Sequence, residues 1–374
     1  MQGSRVSETV NMLTSLDLSI INGTLFSERR LSCVSRSRRF GKSMAAKMLC
    51  AYYDQSCDSC SLFADLVIAK DATFEKHLNK YPVIYLDITD FVSKYRTDDI
   101  VDKIDAALLA DVSNAYPQVP IEENDGLMDY LLRVSEKTQE QFIFIIDEWD
   151  AICREFSPGT KAMDAYVSWL RGLFKSQQAM RVFACAYMTG ILPIKKYKTQ
   201  SALNNFIEYS MVEPRRMASY FGFTKDEVRT LAEKYHADFD ELEKWYDGYQ
   251  IGDELSIFNP DSIMRAIYGV HPTAYWWGTS SIHILEPYIN ENFDGLLDVA
   301  IKLIDGLRYE INIDNSDNLL FDIDSKDDVL TTLVHFGYLT YNHKSHECFI
   351  PNREVMSRFK MYADTTSCRY QLRS

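Results

Sequence analysis

Apolar and polar positions alternate along the chain in two rhythms, and the order of those rhythms predicts an architecture. "RLSCVS" (30–35) reads as a short strand, and "SMAAKMLCAYY" (43–53) follows it with apolar positions at helical spacing. "YPVIYLDITDF" (81–91) predicts a buried strand, whereas "VDKIDAALLADV" (101–112) and "GLMDYLLRVSEK" (126–137) predict amphipathic helices. In "QFIFIIDEWD" (141–150) five consecutive apolar residues precede the acids, the pattern of a central parallel strand covered on both faces. A further helix, "AMDAYVSWLRGLFKS" (162–176), leads to another strand, "MRVFACAYMTG" (180–190). Strands alternating with helices predict a mainly parallel α/β sheet with right-handed crossovers.

From about residue 211 the pattern turns mostly helical. "GFTKDEVRTLAEKY" opens with a capping box, Thr224 capping and Glu227 three residues on. "FNPDSIMRAIYG" sets Asn259 before Pro260, a helix start with proline in the first turn. "DSKDDVLTTLVHFGYLTYNHKSHECFIPN" (324–352) reads as a capped helix followed by two strands around a polar turn, the outline of a winged-helix module. No repeat of fixed period and no Gly/Ser/Pro-rich linker divides the chain. Element order therefore sets the expected division: an α/β domain over 1–210, a helical region over 211–300, and a winged-helix-like region over 301–374. The last residues, "TTSCRYQLRS", lack periodicity and are expected to fray.

Composition narrows the function. The 374 residues, 46% hydrophobic and 13% aromatic, suffice for a large core. No apolar run approaches the roughly 20 residues of a membrane-spanning helix. "MQGSRVSETVNML" carries no basic stretch followed by an apolar one, so a cytoplasmic location is expected. A net charge of −14 argues against a protein that coats nucleic acid with its whole surface, and leaves room for a local basic face. Two clusters offer one: Arg36, Arg38, Arg39 and Lys42, and the "IKKYK" lysines Lys195, Lys196 and Lys198, the latter more simply a solvated loop. Eight cysteines scattered over this length fit a reduced, intracellular chain. "CDSC" (Cys57, Cys60) is the one C-x-x-C, and zinc would want a second pair. His343, His346 and Cys348 lie far along the chain, so ordinary loop residues are expected at both places.

The chemistry begins at "SRSRRFGKS" (35–43). It ends in the Gly-Lys-Ser of a phosphate-binding loop but carries Arg36 where G-x-x-x-x-G-K-[ST] has its first glycine. In such a loop, backbone N–H groups near a helix N-terminus point at the phosphates. Gly41 would permit close approach, Lys42 would reach the β- and γ-phosphates, and the Ser43 hydroxyl would ligate Mg²⁺. Magnesium needs a second anchor, an Asp ending a hydrophobic strand, and "FIFIIDE" supplies Asp147. Glu148 follows, placed to polarise an attacking water, and Thr189 ends a later strand where it could hold that water or sense the γ-phosphate. About a hundred residues separate the two motifs, which suits a sheet with an extra strand between the motif strands. Each acid could simply cap a helix, and Thr189 could close a turn. Their joint occurrence at strand ends, where open α/β sheets bind ligands, carries the nucleotide reading.

"SRSRRFGKS", "YPVIYLDITDF", "FIFIIDEWD", "YMTGILPI", "LNNF", "GFTKDEV", "WYDGYQIG", "FNPDSI" and "YWWGTSS" occur in that order, and together they resemble the bacterial AAA-ATPase-like family, from about residue 25 to about 355. Members typically read R-P-R-R-F-G-K-[ST], so Arg36 looks like a family habit; Ser37 stands where proline is usual, and Trp149 where tyrosine is common. The resemblance implies an α/β P-loop NTPase followed by the helical and winged region. It implies ATP and Mg²⁺ as cofactors, with Arg38, Arg39, Phe40, Gly41, Lys42, Ser43 and Met44 around the nucleotide. Ser43 and Asp147 would hold the metal, and Glu148 would be the catalytic base, helped by Lys42 and Thr189. Arg38 and Arg39 could equally bridge to an acidic neighbour.

The implied function is Mg-dependent ATP hydrolysis coupled to a nucleic-acid or partner-protein transaction through the winged region. The alternative is a nucleotide-dependent switch or a DNA- or protein-binding module with little hydrolysis. ATP is favoured over GTP by the resemblance and by the lack of an N-K-x-D after the metal-binding strand. Oligomeric state and any arginine finger stay open. Family members usually add an N-terminal segment around Y-V-D-K-T and a PD-(D/E)XK nuclease-like domain, and neither has a clear counterpart before residue 25 or beyond "FIPNREVMSRF". Glu310, Asp324 and Lys326 offer a weak nuclease signature, but Ser325 more plausibly caps the next helix. The aromatics of "WYDGY" and "YWWGTS" are expected to pack rather than to stack on bases.

Overall fold

The computed structural model describes residues 30–157, 159–194, 203–252, 255–269, 271–275, 287–288, 291–313 and 323–360. The N-terminal stretch, the lysines of "IKKYK", all of "YWWGTSS" but Tyr275, and the C-terminal tail lie outside them. The chain divides into two compact units. The first takes the residues up to Val34, Lys42–Gly190 and the stretch ending at Glu208, while Ser35–Gly41, the stretch from Ile191 and everything from Tyr209 belong to the second.

The first unit is built on a five-stranded sheet: β1 (Leu31–Ser35), β2 (Val83–Asp87), β3 (Phe142–Asp147), β4 (Phe183–Gly190) and β5 (Ile207–Tyr209), in the order β2-β3-β4-β1-β5. β3 runs parallel to β2 and to β4. Every residue of β3 and β4 is buried, which is why their sequences show unbroken apolar stretches instead of alternation. Each buried Ile, Phe or Met side chain among them contributes about 1.5–3 kcal/mol relative to exposure. β4 lies between β1 and β3, the extra strand expected from the motif spacing.

At the edge, β2 behaves differently. Ile84 and Leu86 are buried, while Val83, Tyr85 and Asp87 are half-buried. "YPVIYLDITDF" also does not continue as a strand: the Asp87 carboxylate accepts the Thr89 N–H (2.9 Å) and caps a helix over Ile88–Lys94. A short acidic side chain that satisfies a free helical N–H favours turning over extending.

The helix α1 (Lys42–Tyr53) follows β1 and packs on β2, β3 and β4 through Ala45, Ala46, Leu49, Tyr52 and Tyr53. The apolar stripes read from the sequence become α2 (Ile100–Ala115), α3 (Leu127–Thr138) and, beyond a short α4 (Ala151–Glu155), α5 (Lys161–Phe174).

In the second unit, α6 (Lys225–Tyr235) begins with the Thr224–Glu227 capping box, and Asn259 caps α7 (Pro260–Tyr268) by accepting from the Asp261 N–H (3.0 Å). Ser325 caps α8 (Lys326–Phe336) with Asp328 reaching back. The mostly helical pattern is supplemented by two small sheets. β6 (Phe223–Thr224), β8 (Leu255–Phe258) and β7 (Tyr249–Ile251) form one; β10 (Thr340–Asn342), β11 (Glu347–Phe349) and β9 (Tyr309–Glu310) form the other. β10 and β11 are the two strands expected after the capped helix; the others, two to four residues long, are too short for a period of two to stand out. Val329, Leu330, Leu333 and Val334 of α8 share a core with Tyr249, Ile257, Leu339 and Val355. Tyr246 and Tyr249 of "WYDGY" are buried, and Gly248 between them has φ +119° with the Pro351 carbonyl against it.

Among the described residues no group of three or more His, Cys, Asp or Glu is placed to hold a metal ion, and Cys57 and Cys60 are exposed thiols. No described helix is long and apolar enough to cross a membrane.

Candidate functional site

Within the first unit, one lysine from the start of α1 meets acids from the ends of the central strands. Lys42 is only 3% exposed, and its Nζ lies 3.9 Å from Glu148 Oε1. Burial lowers its pKa, and the charges of Glu148, Asp150 and Asp147 oppose that fall. Ser43 and Met44 continue the first turn of α1, both half-buried.

Asp147 closes β3 and is buried. Its Oδ1 accepts the Thr189 hydroxyl, and its Oδ2 accepts the Tyr85 hydroxyl (3.2 Å). Thr189, on β4, also accepts the Glu148 N–H at its hydroxyl (3.3 Å), while its carbonyl accepts the Trp149 N–H (2.8 Å). These contacts hold the chain in an abrupt turn: Glu148 has φ +52°, a left-handed conformation that costs a side-chain-bearing residue about 1–2 kcal/mol. Gly190 lets the turn close. A Cβ there would sit 2.6 Å from the Trp149 indole and 2.8 Å from Asp150 Oδ1.

The structure adds four residues that the sequence reading did not select. Asp87 stands opposite Asp147 in the β2–β3 register, and burial together with the Asp147 charge raises its pKa. Tyr85 is driven far up, first by burial and then by Asp147, so it remains a hydrogen-bond donor. Arg154, on α4, bonds Glu148 Oε2 through Nη2 (2.5 Å) and Asp150 Oδ2 through Nε (3.1 Å). The one available signal was the i, i+4 spacing of Asp150 and Arg154; the contacts to Asp147 depend on neighbouring strands and leave no local trace. Thiol chemistry has no support here: burial pushes both Cys50 and Cys153 up to about 12.

The loop residues Ser35–Gly41 have their own surroundings in the second unit. Arg36 is fully buried, and its guanidinium donates to the carbonyls of Ser210, Tyr209 (3.3 Å) and Met217 (3.1 Å). Arg39, with φ +70°, pairs with Asp261 Oδ2 (2.8 Å) and donates to the Tyr275 carbonyl (3.1 Å). The Arg38 carbonyl accepts from Asn259 Nδ2 (3.2 Å), and the buried Phe40 ring meets Tyr249 edge-on at 5.2 Å. Gly41 has φ +88°. The sequence-predicted residues thus fall into two sets: Lys42, Asp147, Glu148 and Thr189 are drawn together in the first unit, and the side chains of Arg39 and Phe40 are engaged within the second.

Residues 22–199 match the model of a family described as "Predicted AAA-ATPase". No curated protein matches the chain significantly. Among solved structures, the chain is similar to Cdc6p from Pyrobaculum aerophilum at 11% identity, covering 96% of this chain and 94% of that one, with a TM-score of 0.35. It is also similar to PCH-2 from C. elegans at 12% identity, covering 98% of this chain and 69% of that one, with a TM-score of 0.26. The assignment of the fold rests on the strand order and on the family match.

Proposed function

Since the chain carries an AAA-ATPase-like domain over residues 22–199, we propose that it binds ATP at the start of α1 and hydrolyses it with Glu148 as general base. The observation that carries this reading is the convergence of Lys42 with Asp147, Glu148 and Thr189 at the carboxyl ends of β3 and β4. A buried ammonium needs a counter-charge. Three carboxylates act on it in the chain as it stands, and a triphosphate supplies the same complement.

The amides from Arg39 to Ser43 would line the phosphates, with Lys42 reaching the β- and γ-oxygens. Water would attack the γ-phosphorus, the bond from phosphorus to the β–γ bridging oxygen would break, and Glu148 would take the water's proton, leaving ADP and phosphate. Thr189 would orient the water or register the γ-phosphate. Ser43 and Asp147 would hold Mg²⁺. They are oxygen donors, as this ion prefers, and the mutual repulsion between Asp87 and Asp147 fits a cation beside them. The metal supplies charge neutralisation at the transferring phosphoryl group.

A partner, nucleic acid or protein, would meet the winged-helix-like region over 301–374; α8 is buried from Val329 to Phe336, so contact would fall to the exposed turn Lys344–His346 between β10 and β11. The ATPase reading is tested directly. Lys42→Ala is expected to abolish hydrolysis, and Glu148→Gln to keep nucleotide binding while lowering turnover about 10²–10⁴-fold. Calorimetry showing that purified protein does not bind ATP would overturn it; turnover in Glu148→Gln equal to wild type would remove Glu148 as the base, and ATP binding without turnover in the wild type would leave only a nucleotide-binding switch.

A further inference from the structure

Glu148 is held by more than its own backbone. Its Oε2 is bonded to a guanidinium, its Oε1 faces Lys42, and its main chain sits in a left-handed conformation that costs a glutamate energy. The restraint has a side-chain component. Arg154 has a side chain only 5% exposed and uses two different nitrogens on two different acids, Nη2 on Glu148 and Nε on the fully buried Asp150. Asp150 belongs to the same turn, which Trp149 closes through its N–H to the Thr189 carbonyl and its own carbonyl to the Tyr166 hydroxyl (2.8 Å). The guanidinium is therefore anchored through Nε and presents Nη2 to Glu148.

We propose that Arg154 is a positioning residue that fixes the Glu148 carboxylate with one oxygen occupied and the other directed at Lys42, where the reacting phosphate and water would meet. The inference rests on the reading of Glu148 as the base. A flexible carboxylate samples many rotamers, and the entropy of selecting one would be added to the barrier of every turnover. A planar guanidinium held by Asp150 removes that freedom beforehand, with two nitrogens in fixed geometry for two acids where lysine offers one compact, freely rotating ammonium. When phosphates occupy Lys42, Oε1 becomes the free oxygen, already aimed at the site. Arg154 itself touches neither nucleotide nor water, which separates its role from that of Lys42.

The test measures ATP turnover across ATP concentrations, ATP affinity by calorimetry and folding by circular dichroism for wild type, Arg154→Gln, Arg154→Lys and Glu148→Gln. The expected result is a kcat at least about tenfold lower in Arg154→Gln with an ATP Kd within about threefold of wild type, and an intermediate kcat in Arg154→Lys. Wild-type kcat in either folded Arg154 variant overturns the inference, and so does a loss of ATP affinity that matches the loss of kcat. Should Arg154→Gln not fold, Arg154→Lys decides by the same two criteria. Full turnover in Glu148→Gln would instead remove the base assignment on which the inference stands, so the two failures are read from different variants.

Discussion

Replacing Arg36 by alanine isolates the question that the phosphate loop poses, because this residue occupies the position of the standard first glycine. Its guanidinium is inaccessible to water, and backbone carbonyls, among them those of Tyr209, Ser210 and Met217, accept from it in surroundings that are themselves buried. Truncation leaves those acceptors without their donor, at about 1–3 kcal/mol for each that water cannot reach. Two effects reduce the sum: the mutant no longer has a cation to desolvate, and the vacated space can admit a water. The net expectation is a destabilisation of about 3–5 kcal/mol, the sum over those acceptors less that relief. In a domain of this size that lowers the melting temperature by roughly 6–20 °C. Denaturant titration and thermal melting of Arg36→Ala and Arg36→Gly measure it, with ATP affinity determined on the folded protein. The competing idea, that Arg36 contacts phosphate, forecasts the reverse: a melting temperature near wild type and a large loss of ATP affinity. A stability change below about 1 kcal/mol in both variants would refute the reasoning.

Three further outcomes follow from local geometry. Gly190→Ala would place a methyl 2.6 Å from the Trp149 indole, so it should destabilise by about 1–3 kcal/mol and lower turnover, read by melting and ATPase assay. Gly248→Ala combines φ +119° with a Cβ 1.9 Å from the Pro351 carbonyl oxygen and should lose more, about 3 kcal/mol or above, without a nucleotide-site effect in the folded fraction. Asp87 has a folded-state pKa raised by burial and by Asp147, so its ionisation opposes folding above that pKa, and the penalty disappears as pH falls towards its unfolded value. Asp87→Asn keeps the helix cap and should therefore melt higher than wild type at pH 7, with the gap closing by pH 4; a gap that widened on acidification would contradict the assigned cause.

Much of the molecule was legible because its signals are local. Unbroken apolar stretches identified β3 and β4, helical spacing identified α1, α2, α3 and α5, and the capping residues Thr224, Asn259 and Ser325 marked helix starts that the backbone then adopts. Gly41-Lys42-Ser43 and the Asp147-Glu148 pair could be named as candidates because phosphate and metal chemistry demand those residue types at a helix start and a strand end. Of the short strands of the second unit, β10 and β11 were legible from the polar turn between them after a capped helix, whereas β6, β7, β8 and β9 were not, since two to four residues carry too little periodicity.

The sequence by itself determined which segments become helix or strand and which side chains could carry phosphate chemistry, because those properties depend on neighbours within a turn or a strand. Tertiary structure alone decided what surrounds each candidate: that Tyr85 and Thr189 both bond Asp147, that Arg154 grips Glu148 and Asp150 together, and that Arg36 is absorbed by carbonyls more than 170 positions away. Hydrogen bonds and ion pairs act over about 3 Å in space, and nothing in the linear order of residues records which distant groups folding will bring within that reach.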